Sequence, residues 1–304
     1  FADLNHDGAP DIVVTSQSTN AIAVLRGKPD GSFETPSYHV TGILPGRVGF
    51  IPLADGRTLL TTFDLSNNKP WFTVVSPQGV PGAPVLKTLA SIPSDVAATD
   101  LNGDGQPDAV IGSSGVLVSL SNGGVFADPA SYAFPGVFTT ASVATADLNS
   151  DGKQDVIAAG EGTAGVFLGN GDGTLQAVRT RLLNYDTARS IVTADFNRDG
   201  KMDVALADYR ASGSLPYAGN VAVLLGNGDG TLSAPIAVTV TGFHPRAVST
   251  GDFNADGNPD LAVSLLNSAS PNSPGIVAVL LGKGDGTFDP ARTFPMQAGR
   301  TTGG

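Results

Sequence analysis

The sequence predicts an all-β fold, a β-propeller of four-stranded blades, from three observations. An acidic nine-residue motif recurs along the chain, a glycine-containing turn recurs at a similar interval, and short apolar runs separate the two. Apolar runs of five or six residues bounded by Gly, Pro, Asn and Asp are typical of strands and too short for helices. Repeats of four strands each indicate propeller blades that pack around a channel.

The first repeated element is the motif D-x-N-x-D-G-x-x-D. Its five copies are Asp3–Asp11, Asp100–Asp108, Asp147–Asp155, Asp195–Asp203 and Asp252–Asp260. Their starts are separated by 97, 47, 48 and 57 residues, so the first interval spans two repeats. We expect a degenerate copy at Leu53–Arg57, because Asp55 lies 48 residues after Asp7 and 49 before Asp104.

The second repeated element is a glycine-containing turn, and it gives the same number of repeats. It occurs at Asp30-Gly31, Gln78-Gly79, Gly123-Gly124, Asp172-Gly173, Asp229-Gly230 and Asp285-Gly286. We interpret residues 1–304 as a single propeller domain of six units. Their approximate bounds are 1–46, 47–93, 94–140, 141–188, 189–245 and 246–304.

Unit six shows the expected order of strands within a blade. Ala247–Gly251 precedes the Asp motif, Leu261–Leu265 and Ile276–Leu281 follow it, and a final strand is expected near Thr287–Phe294. No convincing amphipathic helix is visible. An open β-solenoid is the alternative fold, although its repeats are usually shorter and carry fewer strands.

The chain begins and ends within a repeat. Phe1-Ala2 has the pattern of the end of an innermost strand, and residues 298–304 have the pattern of the start of one. The sequence is therefore consistent with a ring closed by pairing of the two termini, which would hide the sheet edges. It is equally consistent with a fragment of a longer array, whose intact form could have seven blades.

Composition narrows the classes of function. The formal net charge of −11 and the pI of about 4.5 argue against nucleic acid or an anionic membrane surface as a partner. No apolar run reaches the roughly 18 residues of a membrane helix, so we expect no membrane span in this chain. The absence of cysteine excludes disulfide and thiolate chemistry, and three histidines leave little room for histidine-based catalysis.

The Asp motif has the composition of a calcium loop. Carboxylate or amide oxygens stand at positions 1, 3, 5 and 9, Gly at position 6 permits a sharp turn, and position 7 can offer a carbonyl, as in the EF-hand. Hard oxygen ligands without His or Cys select Ca²⁺ over transition metals. We predict about five structural calcium ions; the alternative is an Asx-rich turn without metal. The predicted ligands are Asp3, Asn5, Asp7, Ala9, Asp11, Asp100, Asn102, Asp104, Gln106, Asp108, Asp147, Asn149, Asp151, Lys153, Asp155, Asp195, Asn197, Asp199, Lys201, Asp203, Asp252, Asn254, Asp256, Asn258 and Asp260.

Through the Asp motif and the string Val221–Thr231, the chain resembles the FG-GAP/VCBS-type repeat proteins. These include the integrin α-subunit propeller and related calcium-binding propeller lectins, and the resemblance covers nearly the whole chain. It implies that each Asp loop joins the first and second strands of a blade, and that ligands bind on the opposite face. Unit two departs from the pattern, because Ala54–Arg57 offers no equivalents of positions 1, 3 and 9. We expect no calcium there.

We expect an extracellular or cell-surface binding or adhesion module for a protein or glycan, and not an enzyme. We expect the acidic residues of the repeats to serve a structural role. The cytosol holds too little calcium to fill weak sites of this kind. A carbohydrate-binding lectin is the alternative. A polysaccharide lyase-type enzyme is a weaker one, since His39 and His244 would have to converge in one cleft.

Two features mark a candidate ligand face. Loops 208–219 and 266–275 are longer than their counterparts, and an Arg precedes the innermost strand in four of the six units. Neutral insertion and pairing of each Arg with a neighbouring blade are the alternative explanations. The candidate ligand-binding residues are Arg47, Arg189, Tyr209, Arg210, Tyr217, Arg246 and Arg300.

Overall fold

The computed structural model shows an all-β protein. It describes residues 3–5, 7–9, 11–16, 19–40, 45–52, 58–64, 69–75, 85–86, 89, 93–122, 125–183, 188–208, 220–240, 243–267 and 275–295. The regular secondary structure of these residues consists of β-strands. Within the same ranges, no helix has the length and apolar character needed to cross a membrane.

The chain divides into two compact units, and the first comprises residues 1–133 together with 171–174. Its strands are β1 Ile12–Ser16, β2 Ala21–Leu25, β3 Ser37–Val40, β4 Pro45–Pro52, β5 Thr58–Asp64, β6 Lys69–Val75, β7 Val85–Leu86, β8 Asp95–Thr99, β9 Asp108–Gly112, β10 Val116–Ser119, β11 Ser121–Asn122, β12 Val125–Phe126 and β13 Ala130–Tyr132. They form a three-stranded sheet β1-β2-β3 and two four-stranded sheets, β4-β5-β6-β7 and β13-β10-β9-β8. Strands β11 and β12 form a separate hairpin.

The second unit comprises residues 134–170 together with 175–304. Its strands are β14 Ser142–Ala146, β15 Asp155–Gly160, β16 Thr163–Phe167, β17 Arg179–Leu182, β18 Ala188–Ala194, β19 Asp203–Asp208, β20 Asn220–Leu224, β21 Ile236–Thr239, β22 Phe243–Gly251, β23 Asp260–Asn267, β24 Ile276–Leu280 and β25 Arg292–Pro295. They form three four-stranded antiparallel sheets whose spatial order follows the chain.

The core of the second unit lies between its sheets. Strands β15 and β16 are buried at every residue, because their Val, Ile and Ala side chains are covered on both faces. One apolar cluster joins the sheet β14–β17 to the sheet β18–β21, and a second joins β18–β21 to β22–β25. Burial of apolar area between sheets, more than within any one of them, therefore holds successive blades together.

The first strands of successive sheets pack against each other, as the innermost strands of a propeller do. In the second unit β14 contacts β18 and β18 contacts β22; in the first unit β4 contacts β8. A side-chain link joins one such pair, because the Ser190 hydroxyl lies 3.2 Å from the Val248 amide nitrogen that donates to it. The first strand of each of these sheets is therefore the innermost one.

The predicted all-β propeller is confirmed, but the number of four-stranded blades is corrected. The described residues form five four-stranded sheets where we expected six, because the sheet of the first repeat has three strands. Strand β1 follows the Asp loop and so corresponds to the second strand of the other blades. Only two residues precede that loop in this chain.

Three strands of unit six lie where the sequence placed them, as β22 to β24, and the fourth, β25, begins later than predicted, at Arg292. The predicted pairing of the two termini involves residues 1–2 and 298–304, which lie outside the described residues.

Candidate functional site

The Asp loops connect the first strand of a blade to its second strand. The loop Asp195–Asp203 leaves β18 at Ala194 and enters β19 at Asp203, and these two residues face each other in the antiparallel register. The loops Asp147–Asp155 and Asp252–Asp260 lie in the same way before β15 and β23. The placement implied by the family resemblance therefore holds for these copies.

Each loop folds around its own backbone amides. In the loop Asp195–Asp203, the amide of Asp199 donates to Oδ1 of Asp195 and to Oδ1 of Asn197, each at 3.1 Å. The amide of Gly200 donates to Oδ2 of Asp195 at 2.8 Å, and that of Lys201 to Oδ1 of Asp199 at 3.0 Å. The other four copies repeat these bonds. The oxygens of positions 1, 3 and 5 therefore converge on one short stretch of backbone.

Two positions adopt left-handed backbone angles in the four loops from Asp100 onward. In the copy Asp147–Asp155, Ser150 at position 4 has φ 58° and Gly152 at position 6 has φ 81°. A Cβ built on Gly152 would meet nothing within 4 Å, so backbone conformation alone, and not lack of space, requires glycine there.

Position 9 is a buried crosslink, a role that the sequence analysis missed. The Asp203 carboxylate is 0% exposed; its Oδ2 accepts the amide of Phe196 at 2.9 Å and its Oδ1 accepts the amide of Gly226 at 2.8 Å. Position 9 of the other copies bonds the amide of position 2 and an amide just after the third strand in the same way. The carboxylate thus ties the loop to a strand that lies far away in sequence. The recurrence of Asp at position 9 was the available sequence signal.

Burial makes this carboxylate costly to ionise. It raises the pKa of Asp108, Asp155 and Asp203, although the two backbone hydrogen bonds act in the opposite direction. Negative charges within the same loop raise the pKa further; for Asp155 these charges are Asp151 and Asp147. The three carboxylates of a loop are therefore close enough to repel one another, and a cation would offset that repulsion.

Position 5 has a different environment because it lies at the surface. The amide of Lys153 lowers the pKa of Asp151 most strongly, and the Asn149 side chain and the Lys153 ammonium group act in the same direction. The ammonium nitrogen of Lys153 lies 3.9 Å from Oδ2 of Asp151. The exposed carboxylate therefore stays ionised more readily than the buried one.

The loops fit calcium in donor chemistry, since each offers carboxylate and amide oxygens and neither imidazole nor thiolate. In the described geometry the side-chain oxygens of positions 1, 3 and 5 accept amides of the loop itself, and the position 9 carboxylate also accepts an amide after the third strand. Across the part of the chain that the structure describes, no three His, Asp or Glu side chains stand close enough together to hold a metal ion as they are.

The repeated turns at Asp229-Gly230 and Asp285-Gly286 dock onto the Asp loop of the preceding blade. In the second unit, the amide of Gly230 donates to the carbonyl of Leu148 at 3.2 Å, and that of Gly286 to the carbonyl of Phe196 at 3.0 Å. A Cβ on Gly230 would lie 2.6 Å from a methyl carbon of Leu168, and its φ is 79°, so both space and conformation require glycine. The two repeated motifs are thus the two halves of one contact between blades.

The predicted arginines lie inside the innermost strands and not before them. Arg189 and Arg246 are half-buried and occupy the register irregularities between Ala188 and Ser190 and between Pro245 and Ala247. The backbone of Arg47 lies at a similar irregularity in β4. A bulge changes the direction of a side chain, and no sequence pattern at these positions predicted one.

The remaining candidate ligand-binding residues fall outside the part of the chain that the structure describes. Tyr209, Arg210, Tyr217 and Arg300 lie outside the described residues, as does the degenerate loop Leu53–Arg57. The two strand ends that flank the loop 209–219 are described. Asp208 at the end of β19 pairs with Asn220 at the start of β20.

Neither candidate histidine is set up as a cation. Burial lowers the pKa of His39, with Arg26 adding to the effect, and burial also lowers the pKa of His244, with Arg246 adding to it. His39 belongs to the first compact unit and His244 to the second.

A family model described as an FG-GAP-like repeat matches the chain three times, over residues 100–158, 147–206 and 211–263. Together these matches cover more than half of the chain. The comparison with curated proteins gave no significant match.

Solved structures of similar fold come from proteins of different kinds. A lectin from Agrocybe aegerita, which recognises non-reducing terminal N-acetylglucosamine, is 19% identical with a TM-score of 0.61, over 96% of this chain and 78% of that one. BBS1N in complex with ARL6DN is 16% identical with a TM-score of 0.62, over 97% and 79%. A protein from Lactobacillus plantarum is 12% identical with a TM-score of 0.69, over 94% and 82%. At these identities the likeness shows the fold alone.

Proposed function

This chain belongs to the FG-GAP-like repeat family, and from that premise we propose that it is a calcium-stabilised β-propeller that serves as an extracellular binding or adhesion module. The observation that carries the proposal is the arrangement of the innermost strands β18 and β22. One end of each strand leads into an acidic loop, and a bulged arginine, Arg189 or Arg246, lies near the other end.

Calcium would be held by the side chains of positions 1, 3, 5 and 9 and by the carbonyl of position 7. Bound calcium supplies positive charge to a loop that has three carboxylates. The shared geometry of the five loops, the burial of position 9 and the mutual repulsion within a loop all support this role. The five loops contain 15 of the 28 acidic residues, so the ions would neutralise much of the acidic excess.

An extracellular location follows from the same chemistry. Calcium sites of extracellular modules typically have Kd values of about 10⁻⁴–10⁻³ M, which cytosolic calcium cannot fill. A loop that its own hydrogen bonds already close can bind calcium weakly and still keep its conformation. We therefore propose that the protein works where calcium is abundant.

The ligand face is proposed at the end of the blades opposite the Asp loops. Antiparallel pairing places Ala188, next to Arg189, across from Asp208, where the long loop 209–219 begins. In the next blade, Phe243 pairs with Asn267 at the start of the other long loop, three residues from Arg246. Each long loop therefore starts at the same strand end as a bulged arginine, whose planar cation suits carboxylate or sulfate groups.

A glycan is the more specific candidate for the ligand, which would make the protein a lectin. The shared fold with the N-acetylglucosamine-binding lectin favours this reading, and the protein partner in the ARL6DN complex keeps a protein ligand open. We propose a non-catalytic role, because the acidic side chains of the loops are engaged in holding backbone amides.

The test is a glycan array, followed by affinity measurements on four variants in millimolar calcium. We expect shortening of the 209–218 loop, Arg189→Ala or Arg246→Ala to weaken binding, whereas Arg292→Ala, in an outermost strand, leaves it unchanged. If every ligand found binds all variants equally while the fold is intact, the face assignment is wrong. If only the arginine changes matter, an acidic ligand beside the innermost strands is the better description.

A further inference from the structure

A small cavity at the outer edge of the sheet β14–β17 is lined by two arginines. It has a volume of about 200 Å³ and lies between strands β16 and β17 and the Gly230–Leu232 turn of the next blade. Both arginines, Arg179 and Arg181, belong to the outermost strand, all of whose residues are exposed. We propose that this cavity is an oxyanion-binding pocket that takes a carboxylate or sulfate group of a small ligand.

The strand register places both guanidinium-bearing residues on one face. Arg179 pairs with Val166 and Arg181 with Ala164, and residues two apart in a strand point to the same side of the sheet. Val166 and Ala164 are buried, at 2% and 0% exposure. The pocket therefore has an apolar floor and two cationic groups at its rim.

The next blade shows what the same positions hold where no pocket is needed. The register equivalents of Arg179 and Arg181 are Ile236 and Val238, which pair with Val223 and Val221. Val238 packs against the apolar cluster between blades. Two arginines thus occupy positions at which the neighbouring blade has apolar side chains. The sheet β14–β17 therefore has positive charge beside a cavity where the sheet β18–β21 has apolar contacts.

The first arginine is oriented by the adjacent turn. Its Nη1 donates to the carbonyl of Asp229 at 2.5 Å. A guanidinium group has five N–H donors in a planar fork, so this bond fixes the plane and leaves donors for a ligand. The Asp229 carboxylate accepts the amide and the hydroxyl of Thr231 through Oδ1, at 2.9 and 2.6 Å, so the turn holds that negative group in place.

An oxyanion is the ligand class that this arrangement selects. Two planar cations on one face suit the geometry of carboxylate and sulfate oxygens, and the buried floor lowers the local dielectric, which strengthens the attraction. On a chain of net charge −11, a paired positive site is a local exception to the field of the whole protein. The pocket goes beyond the proposed function, because it lies at the outermost strand and not at the innermost strand ends.

The test is titration of the full chain, in calcium and at constant ionic strength, with sodium sulfate, sodium glucuronate and neutral glucose, followed by NMR of backbone amides. We expect saturable shifts at Thr180, Arg181 and Thr231 with one or both anions and none with glucose. Arg181→Gln should weaken this binding by about tenfold or more, the usual loss for a hydrogen bond to a charged group. The preferred anion identifies the source as a sulfate ester or a uronate.

Two further variants separate the pocket from general charge effects. Arg292→Gln is the matched control, since Arg292 has the same register position as Arg179 but is followed two residues later by Phe294. It should leave binding unchanged. The double variant Arg179→Ile and Arg181→Val copies the next blade and should abolish binding while the fold remains intact. Absence of saturable shifts in the native chain, or equal affinity of Arg181→Gln, would overturn the proposal, whatever the outcome at the ligand face.

Discussion

The two left-handed positions of an Asp loop respond in opposite ways to substitution. Gly152→Ala should destabilise the protein by roughly 1–2 kcal/mol, because an L side chain is strained at φ 81° even where space is open. Ser150→Gly, two residues earlier at φ 58°, is the matched control and should cost little, since it removes strain while adding chain entropy. Urea unfolding in EDTA measures both. Equal stability of Gly152→Ala and the native chain would show that the loop does not hold this conformation.

The Gly-Asp-Gly-Thr turns predict a pH effect at a single carboxyl group. The Thr231 hydroxyl is the largest cause lowering the pKa of Asp229, followed by the Thr231 amide. A lowered folded-state pKa contributes stability that is present above the unfolded-state pKa and is lost as the pH falls through the folded-state value.

We therefore expect Thr231→Val to raise the pKa of Asp229 towards its ordinary value, as followed by NMR titration of the carboxyl carbon. Asp285 is the internal control, because its own partner Thr287 lowers its pKa in the same way and is not changed. A pKa of Asp229 that does not move, or an equal shift at Asp285, would contradict the assignment.

At the scale of single residues, the sequence predicted contacts within a loop but not contacts between residues far apart in the chain. The turn at position 6 and the convergence of positions 1, 3 and 5 follow from Gly and Asx spacing within nine residues. The partner of Asp203 at position 9 is the amide of Gly226, which lies 23 residues away beyond a long loop. The bulges at Arg189 and Arg246 depend on register against a second strand, which a single strand does not encode.

At the scale of the blade, the position 9 carboxylate is the tie between the loop and the third strand. Asp203→Asn replaces one acceptor oxygen with an NH₂ group, which then faces the amide N–H of Phe196 or of Gly226. We expect a loss of about 1–3 kcal/mol in EDTA, which outweighs the relief of no longer burying a charge.

Asp289→Asn is the matched control for this substitution. The Asp289 carboxylate forms a surface ion pair with Lys283, at 3.4 Å, and such pairs contribute little. Denaturant unfolding of the two variants at neutral pH gives the comparison. If Asp203→Asn proves no more harmful than Asp289→Asn, the tie does not stabilise the blade.

Strand prediction was accurate where apolar runs are flanked by both repeated turns. All four strands of unit six were placed from this pattern, although the last begins later than expected, at Arg292. The hairpin of β11 and β12 was not predicted, because Ser121–Phe126 has no continuous apolar run. The predicted number of four-stranded blades was wrong for the first repeat, whose described strands form the three-stranded sheet β1-β2-β3.

For the whole molecule, the repeat spacing was sufficient to predict the propeller, but not how its blades are joined. Apolar clusters between sheets supply the contact area, and docking of each Gly-Asp-Gly turn onto a preceding Asp loop supplies the alignment. Sequence spacing shows that both motifs recur with one period, yet it cannot show that they meet.

The central claim, that the Asp loops hold calcium, makes a prediction about the stability of the whole chain. At calcium concentrations ten times Kd, each site adds about 1.4 kcal/mol, so five sites give about 7 kcal/mol if they are additive. That is comparable with the entire stability of many domains. Because the loop oxygens already accept hydrogen bonds from backbone amides, the chain should keep its strands without metal. Removal of calcium should lower the free energy of unfolding but leave the fold intact.

The most direct test is thermal unfolding, followed by circular dichroism. It compares the protein in about 5 mM calcium, which fills typical extracellular sites, with the protein in EDTA, and then adds either calcium or magnesium in excess of the EDTA. We predict that EDTA lowers Tm by about 10 °C or more, that calcium restores it, and that magnesium does not. A Tm that is the same in calcium and in EDTA would contradict the claim and leave the loops as metal-free Asx turns.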